Sequence, residues 1–123
     1  MATGRTILVV DDDIDIRDAM CLVLQHSGYR TLAAANGAEA VRALGDGDSI
    51  DLILLDMMMP VMDGWGFRNA QVDGPAFARI PVVVLTGDGR ASAKAEAIGA
   101  VGYLRKPLDL DDLLAVVARH IKN

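Results

Sequence analysis

Cysteine occurs once in the 123 residues, as Cys21. A single thiol cannot close an internal disulfide, so the fold must rest on its apolar core, and the composition suits a reducing compartment. No apolar run approaches the roughly 20 residues that cross a bilayer. Residues 1–6 carry no h-region of a secretory signal, so a cytoplasmic location is expected. Positive charge is in deficit, with 12 Lys+Arg against 17 Asp+Glu and a net charge of −5. That balance disfavours a protein that holds nucleic acid or an anionic membrane by charge. Repeats, low-complexity tracts and linkers are also missing, and residues 1–123 are expected to form one domain. What is present is a globular composition, 52% hydrophobic and 24% charged, far from that of a disordered chain.

The apolar residues are organised as alternating strand and helix patterns. Thr6-Ile7-Leu8-Val9-Val10 is a β-branched run apolar on both faces, typical of a strand buried in a parallel sheet, and Asp11-Asp12-Asp13 cut it off. Ile16, Met20, Val23 and Leu24 then form a helical stripe closed by Gly28. Tyr29 to Ala33 read as a second strand, and Asn36 as the N-cap of a short helix carrying Val41 and Leu44. Ile50 to Leu55 are the third strand, less uniform for Asp51, and Asp56 ends it; a weak helix follows Gly64 and closes at Gly74-Pro75. Ile80 to Leu85 are the fourth strand, Ala91 to Ile98 a short helix closed by Gly99, and Ala100 to Leu104 the fifth strand. Leu110, Leu113, Leu114, Val117 and Ile121 form a final helical stripe, with Asp109 as its N-cap. Strand and helix alternate five times. This predicts an α/β fold, a doubly wound five-stranded parallel sheet of order 2-1-3-4-5 (flavodoxin-like) with five flanking helices. Ligands of such sheets bind beyond the carboxyl ends of the strands, at the switch between strands 1 and 3.

The residues at those ends are Asp11, Asp12 and Asp13, then Asp56, Thr86 and Lys106. A lone Asp after a strand is ordinarily a helix cap, and Asp13 fits that role. Capping does not explain Asp11 and Asp12 together with Asp56 opposite them. Two carboxylates near 4 Å repel by about 4 kcal/mol at an effective dielectric of 20, so the cluster calls for a cation. All-oxygen donors without His or Cys favour Mg²⁺ over Zn²⁺. A carboxylate beside a divalent ion, a Lys and a hydroxyl is equipped for phosphoryl transfer, with Asp as the nucleophile.

Ile7-Leu8-Val9-Val10-Asp11-Asp12, Asp56 followed by Met59-Pro60 and Met62-Asp63-Gly64, Leu85-Thr86-Gly87, and Tyr103-Leu104-Arg105-Lys106-Pro107 together resemble the receiver domain of two-component response regulators. The resemblance covers essentially the whole chain. It implies that Asp56 accepts phosphate from the phosphohistidine of a sensor histidine kinase or phosphotransfer protein. Mg²⁺ would be bound by Asp12, Asp56 and the Met58 backbone carbonyl, and by Asp11 through water. Lys106 would pair with the phosphoryl group, Thr86 would turn toward it, and Tyr103 would swing inward. That movement would alter a face built from the fourth helix, fifth strand and fifth helix, where a downstream effector protein binds. The chain would be a monomer or a phosphorylation-dependent homodimer. It would be no enzyme in the usual sense, beyond its own phosphorylation and dephosphorylation. Ending two residues after Ile121, it is expected to be a stand-alone receiver or one excised from a larger protein.

The segment from Thr86 to Tyr103 is about two residues shorter than is usual in such domains, so its helix is expected to be stunted or shifted. Three other readings compete. A haloacid-dehalogenase-type phosphohydrolase also uses an Asp after a strand, but needs a second acid two residues on, where this chain has Met58. A flavodoxin-like electron carrier would need a hydroxyl- and glycine-rich phosphate loop after strand 1. A phosphorylation-independent pseudo-receiver would not need Asp11, Asp12, Asp56, Thr86 and Lys106 intact. Met57, Met58, Met59 and Met62 are read as gap-fillers rather than a copper site. Cys21 is read as a small buried hydrophobe, and His26 and His120 as residues near helix C-termini, where a partial positive charge is favourable. Trp65 opens the third expected helix close to the acids. Met58 puts an apolar group where a polar side chain would orient an attacking water, while Asp88 is placed to position water and act in the opposite sense. The Met58→Asn variant should therefore lose an Asp56 phosphoryl group faster than the parent, followed as the decay of phosphorylated mass; an equal or slower decay excludes this role.

Overall fold

The computed structural model describes residues 4–45, 49–57, 80–87, 93, 95–96 and 99–121. Five strands, β1 (Thr6–Val10), β2 (Arg30–Ala34), β3 (Leu52–Asp56), β4 (Val82–Thr86) and β5 (Gly102–Arg105), form one sheet of order β2-β1-β3-β4-β5. All neighbouring pairs are parallel, with Ile7 beside Leu52, Ile53 beside Val82 and Val83 beside Gly102. The bounded helices are α1 (Ile14–His26), α2 (Gly37–Gly45) and α3 (Leu110–His120). The expected third helix lies outside the described residues. Of the fourth, Ala93, Ala95 and Glu96 are helical.

The strands are apolar on both faces because both faces are covered. Successive side chains point to opposite sides of a strand. Ile7, Val9, Leu52, Leu54, Val83 and Leu85 accordingly pack on one face with Met20 and Leu24 of α1 and Leu113 and Val117 of α3. Leu8, Val10, Ile53, Leu55, Val82 and Val84 pack on the other with Ala40 and Leu44 of α2 and with Ala95. Leu110 departs from the expected stripe. It is the first residue of α3 and is 42% exposed. Cys21 is half-buried against the α1 face rather than enclosed, and burial raises its thiol pKa, which suits the inert reading.

Strand bounds shift from the sequence expectation for reasons visible in the hydrogen bonds. Gly28 has φ 95° and its N–H donates to the Gln25 carbonyl, while the Tyr29 N–H donates to that of Leu24. This is a Schellman closure, and it occupies Tyr29, so β2 starts at Arg30. Gly99, with φ 71°, and Ala100 close the preceding helix in the same way through Glu96 and Ala95, and β5 starts at Gly102. Pro81 has no N–H for the ladder, so β4 opens at Val82, and Thr86 becomes its last residue rather than its successor. Asp51, which broke the third apolar run, lies just ahead of β3. Its carboxylate accepts the Thr6 N–H at 2.8 Å and faces Arg5 at 3.5 Å.

The caps follow expectation. Asp13 accepts the N–H groups of Asp15 and Ile16, Asp109 those of Asp111 and Asp112, and Asn36 that of Glu39. Glu39 Oε1 in turn accepts the Ala35 N–H at 2.9 Å. Leu54, fully buried in the central strand, should cost about 2–5 kcal/mol when truncated to Ala. Leu22→Ala, on the exposed side of α1, should change stability by no more than about 0.5 kcal/mol. Urea unfolding of the two variants checks the contrast.

Candidate functional site

The parallel sheet delivers four polar side chains to one edge. Asp11 follows β1 directly, and its N–H donates to the Ala34 carbonyl, which prolongs the β1–β2 ladder by one residue. Asp56 is the last residue of β3 and sits beside Leu85 of β4. Thr86 ends β4 beside Arg105, and Lys106 follows β5 with its N–H on the Thr86 carbonyl. Asp11, Asp56 and Thr86 are buried, while Asp12 is exposed. One oxygen from each of Asp11, Asp12 and Asp56 can be chosen so that all three lie within 4.8 Å of one another. The structure thus brings together the three acids singled out from sequence, and leaves Asp13 as a cap.

Lys106 is the internal counter-charge. Its Nζ stands 2.9 Å from Asp11 Oδ2 and 3.4 Å from Asp56 Oδ2. Three carboxylates against one ammonium leave two formal negative charges, and each carboxylate pair at this spacing repels by roughly 3 kcal/mol at an effective dielectric of 20. Asp11 Oδ1 accepts the Asp13 N–H at 2.9 Å. Asp11 Oδ2 is buried and takes no aligned hydrogen bond; Lys106 meets it as a charge alone. A buried carboxylate oxygen with an unfilled lone pair, next to two further carboxylates, fits a hard divalent cation. The donor set is all oxygen, which fits Mg²⁺ rather than a softer metal.

Other expected site residues divide. Tyr103 lies on the outermost strand and is 43% exposed. Met58, Asp88, Trp65, Met59 and Met62 lie outside the described residues, as does most of the short segment after Gly87; Met57 is buried in the core. Between β5 and α3 runs a groove of about 720 Å³, lined in part by Tyr103, Arg105, Asp112, Arg119 and His120 and by none of the site carboxylates. His120 ends α3 and packs on Gly102, where a Cβ would come within 3.1 Å of its Nε2. One residue near the site escaped the sequence reading. Arg17, in α1, donates from Nη1 to the Asp11 main-chain carbonyl at 3.0 Å. The available signal was a cation in the first turn of a helix, where the helix dipole disfavours it.

The Lys106 amine titrates above its ordinary 10.5. Burial alone would pull it down, but the contacts with Asp11 and Asp56 and their charges push it up by more. Since the folded value is the higher, this pairing stabilises the fold fully below pH 10.5 and is lost as pH climbs through the folded value. Lys106→Met should therefore be less stable than the parent at pH 7, and the gap in Tm should narrow above pH 10.5, as read by thermal melts across pH.

Comparison with known proteins bears on the same residues. The family model described as the response regulator receiver domain matches residues 7–118. The phosphate regulon transcriptional regulatory protein PhoB of Pseudomonas aeruginosa is 34% identical over 91% of this chain and 49% of its own length. The chain spans half or less of the length of that relative and of the response regulator ARR21 of Arabidopsis thaliana. The solved chemotaxis response regulator CheY4 of Vibrio cholerae superposes with a TM-score of 0.87 at 35% identity, over 97% of this chain and all of its own. The receiver domain of sensor histidine kinase PA1611 of Pseudomonas aeruginosa, solved with a magnesium ion in its active-site cleft, superposes with a TM-score of 0.84 at 28% identity, over 96% of this chain and 98% of its own. The sheet order, the carboxylates at the β1–β3 switch and the matched family model agree: the chain belongs to the response regulator receiver domain family, the phospho-acceptor switches of two-component systems.

Proposed function

We propose that Asp56 is the phospho-acceptor of this receiver domain, and that the domain spans residues 1–123. The observation that carries the reading is the placement of Asp56. It is buried at the end of the central strand, within 3.4 Å of Lys106 Nζ and clustered with Asp11 and Asp12. An Asp56 oxygen attacks the phosphorus of a phosphohistidine on a sensor histidine kinase or phosphotransfer protein. The P–N bond breaks as the O–P bond forms, and the imidazole nitrogen keeps the electron pair. Mg²⁺ held by Asp12, Asp56 and the Met58 carbonyl, with Asp11 acting through water, would supply charge neutralisation on the phosphoryl oxygens. Lys106 pairs with the phosphoryl group, so its ammonium is drawn away from Asp11.

Thr86, buried at the end of the neighbouring strand, donates its hydroxyl to a phosphoryl oxygen. That turn leaves room for Tyr103 to move from its exposed position and reshape the face formed by the fourth helix, β5 and α3. A ligand preferring one of two arrangements shifts the population between them. The groove between β5 and α3, lined by both charges in Arg105, Arg119 and Asp112, is the part of that face suited to an effector protein or to a second copy of the domain. The domain works in the cytoplasm, uses no nucleic acid or membrane directly, and turns over no external substrate. No helix among the described residues is long and apolar enough to cross a membrane. Acetyl phosphate with Mg²⁺ should add one phosphoryl group to the parent, seen by intact mass, and none to Asp56→Asn. Equal labelling of the variant would exclude Asp56, and sustained turnover of a generic phosphomonoester would favour a hydrolase instead.

A further inference from the structure

Asp11 is held at every polar atom. Its N–H is tied to Ala34, its Oδ1 to the Asp13 N–H, its Oδ2 faces Lys106, and its main-chain carbonyl takes the Arg17 guanidinium at 3.0 Å. The last of these differs in kind. The Asp11 carbonyl and the Asp12 N–H belong to one rigid peptide unit, and that unit joins two of the three clustered carboxylates. Whatever fixes its plane fixes how the buried Asp11 and the exposed Asp12 are set relative to each other. The Ala34 and Lys106 contacts hold Asp11 alone, and the turn closed by the Asp13 N–H spans the joint without bonding it. Among the described residues, Arg17 is the group that bonds the joining peptide's own carbonyl.

The helix geometry makes this reach possible. Side chains on a helix lean toward its N-terminus. Arg17 occupies the first turn of α1, with its own N–H on the Asp13 carbonyl at 2.9 Å, so the guanidinium extends back over the turn to the end of β1. The position is otherwise a poor one for a cation, since it opposes the positive end of the helix dipole. A local rule broken in this way points to a compensating gain elsewhere, and the half-buried bond to Asp11 is the gain in view.

We propose that Arg17 is a positioning residue of the cation site, clamping the Asp11–Asp12 peptide so that the two carboxylates are pre-set for Mg²⁺. The inference rests on the magnesium reading above. It makes a prediction of sign, because two effects of Arg17 oppose each other. Its positive charge beside the acids repels a cation, so if charge alone mattered its removal would tighten Mg²⁺ binding. If the clamp dominates, removal weakens binding, since the ion must then order the peptide itself.

The test is calorimetric titration of the unphosphorylated protein with MgCl₂, alongside the Mg²⁺-induced rise in Tm. Arg17→Met keeps the aliphatic stem and removes the donors. It should weaken Mg²⁺ roughly tenfold, the scale of one lost hydrogen bond to a charged donor. Arg17→Lys keeps the charge and one donor group, and should recover part of the loss. With acetyl phosphate, the Mg²⁺ concentration for half-maximal labelling should rise in Arg17→Met while the rate at saturating Mg²⁺ stays within about twofold. An unchanged or tighter Mg²⁺ constant, even with a lowered Tm, reduces Arg17 to a structural contact and overturns the proposal. A parent that binds no Mg²⁺ overturns the magnesium reading and this proposal together, so the two failures are told apart by the parent titration.

Discussion

Parallel pairing is the constraint on which the rest of the molecule depends. When every strand runs the same way, all five carboxyl ends emerge at one edge, and the connecting helices must cover both faces. The central strand β3 is then flanked by β1 and β4, so Asp56 lies between residues contributed from either side. Lys106 directly follows the outermost strand, three places from β1 in the sheet order, yet its Nζ stands 2.9 Å from Asp11 Oδ2. That ion pair ties the rim of the sheet to its middle, where the three carboxylates gather.

The site is electrostatically incomplete in itself. Three carboxylates share one ammonium, and the buried Asp11 Oδ2 has charge but no aligned donor. Such a cluster is tolerated because the apolar sheet beneath it is fully packed and the surrounding backbone bonds are made, so the cost is confined to a few side chains. A site held two charges short of neutral is also responsive. A divalent ion would cancel that charge, a phosphoryl group would deepen it, and Lys106 is the group that must choose between partners. In the proposed switch that choice is what couples the acids of β1 and β3 to Thr86 and the exposed Tyr103.

Much of this was legible in the residue order. The apolar runs gave five strands and their parallel pairing, and Asp13, Asn36 and Asp109 capped the helices as their types suggested. Strand starts were less legible, because Tyr29 and Ala100 look like strand residues but give their N–H groups to the helices before them. Asp51 reads as an interruption of a strand until the Thr6 N–H and Arg5 guanidinium beside it are seen. Arg17 is marked in the sequence only as a cation in the first turn of a helix, and its partner, a main-chain carbonyl, has no residue type that would reveal it.

The sequence by itself determined the class of fold, the acids and Lys at the strand ends, and the family whose pattern they follow. Those are local properties, since periodicity, caps and strand-terminal residues are read within a few positions of one another. Only the tertiary structure decided that Asp11 is buried while Asp12 is exposed, that Lys106 leans closer to Asp11 than to Asp56, and that Arg17 holds the peptide between the first two acids. Burial and side-chain reach depend on what the other strands and helices place nearby, and no stretch of chain specifies that alone.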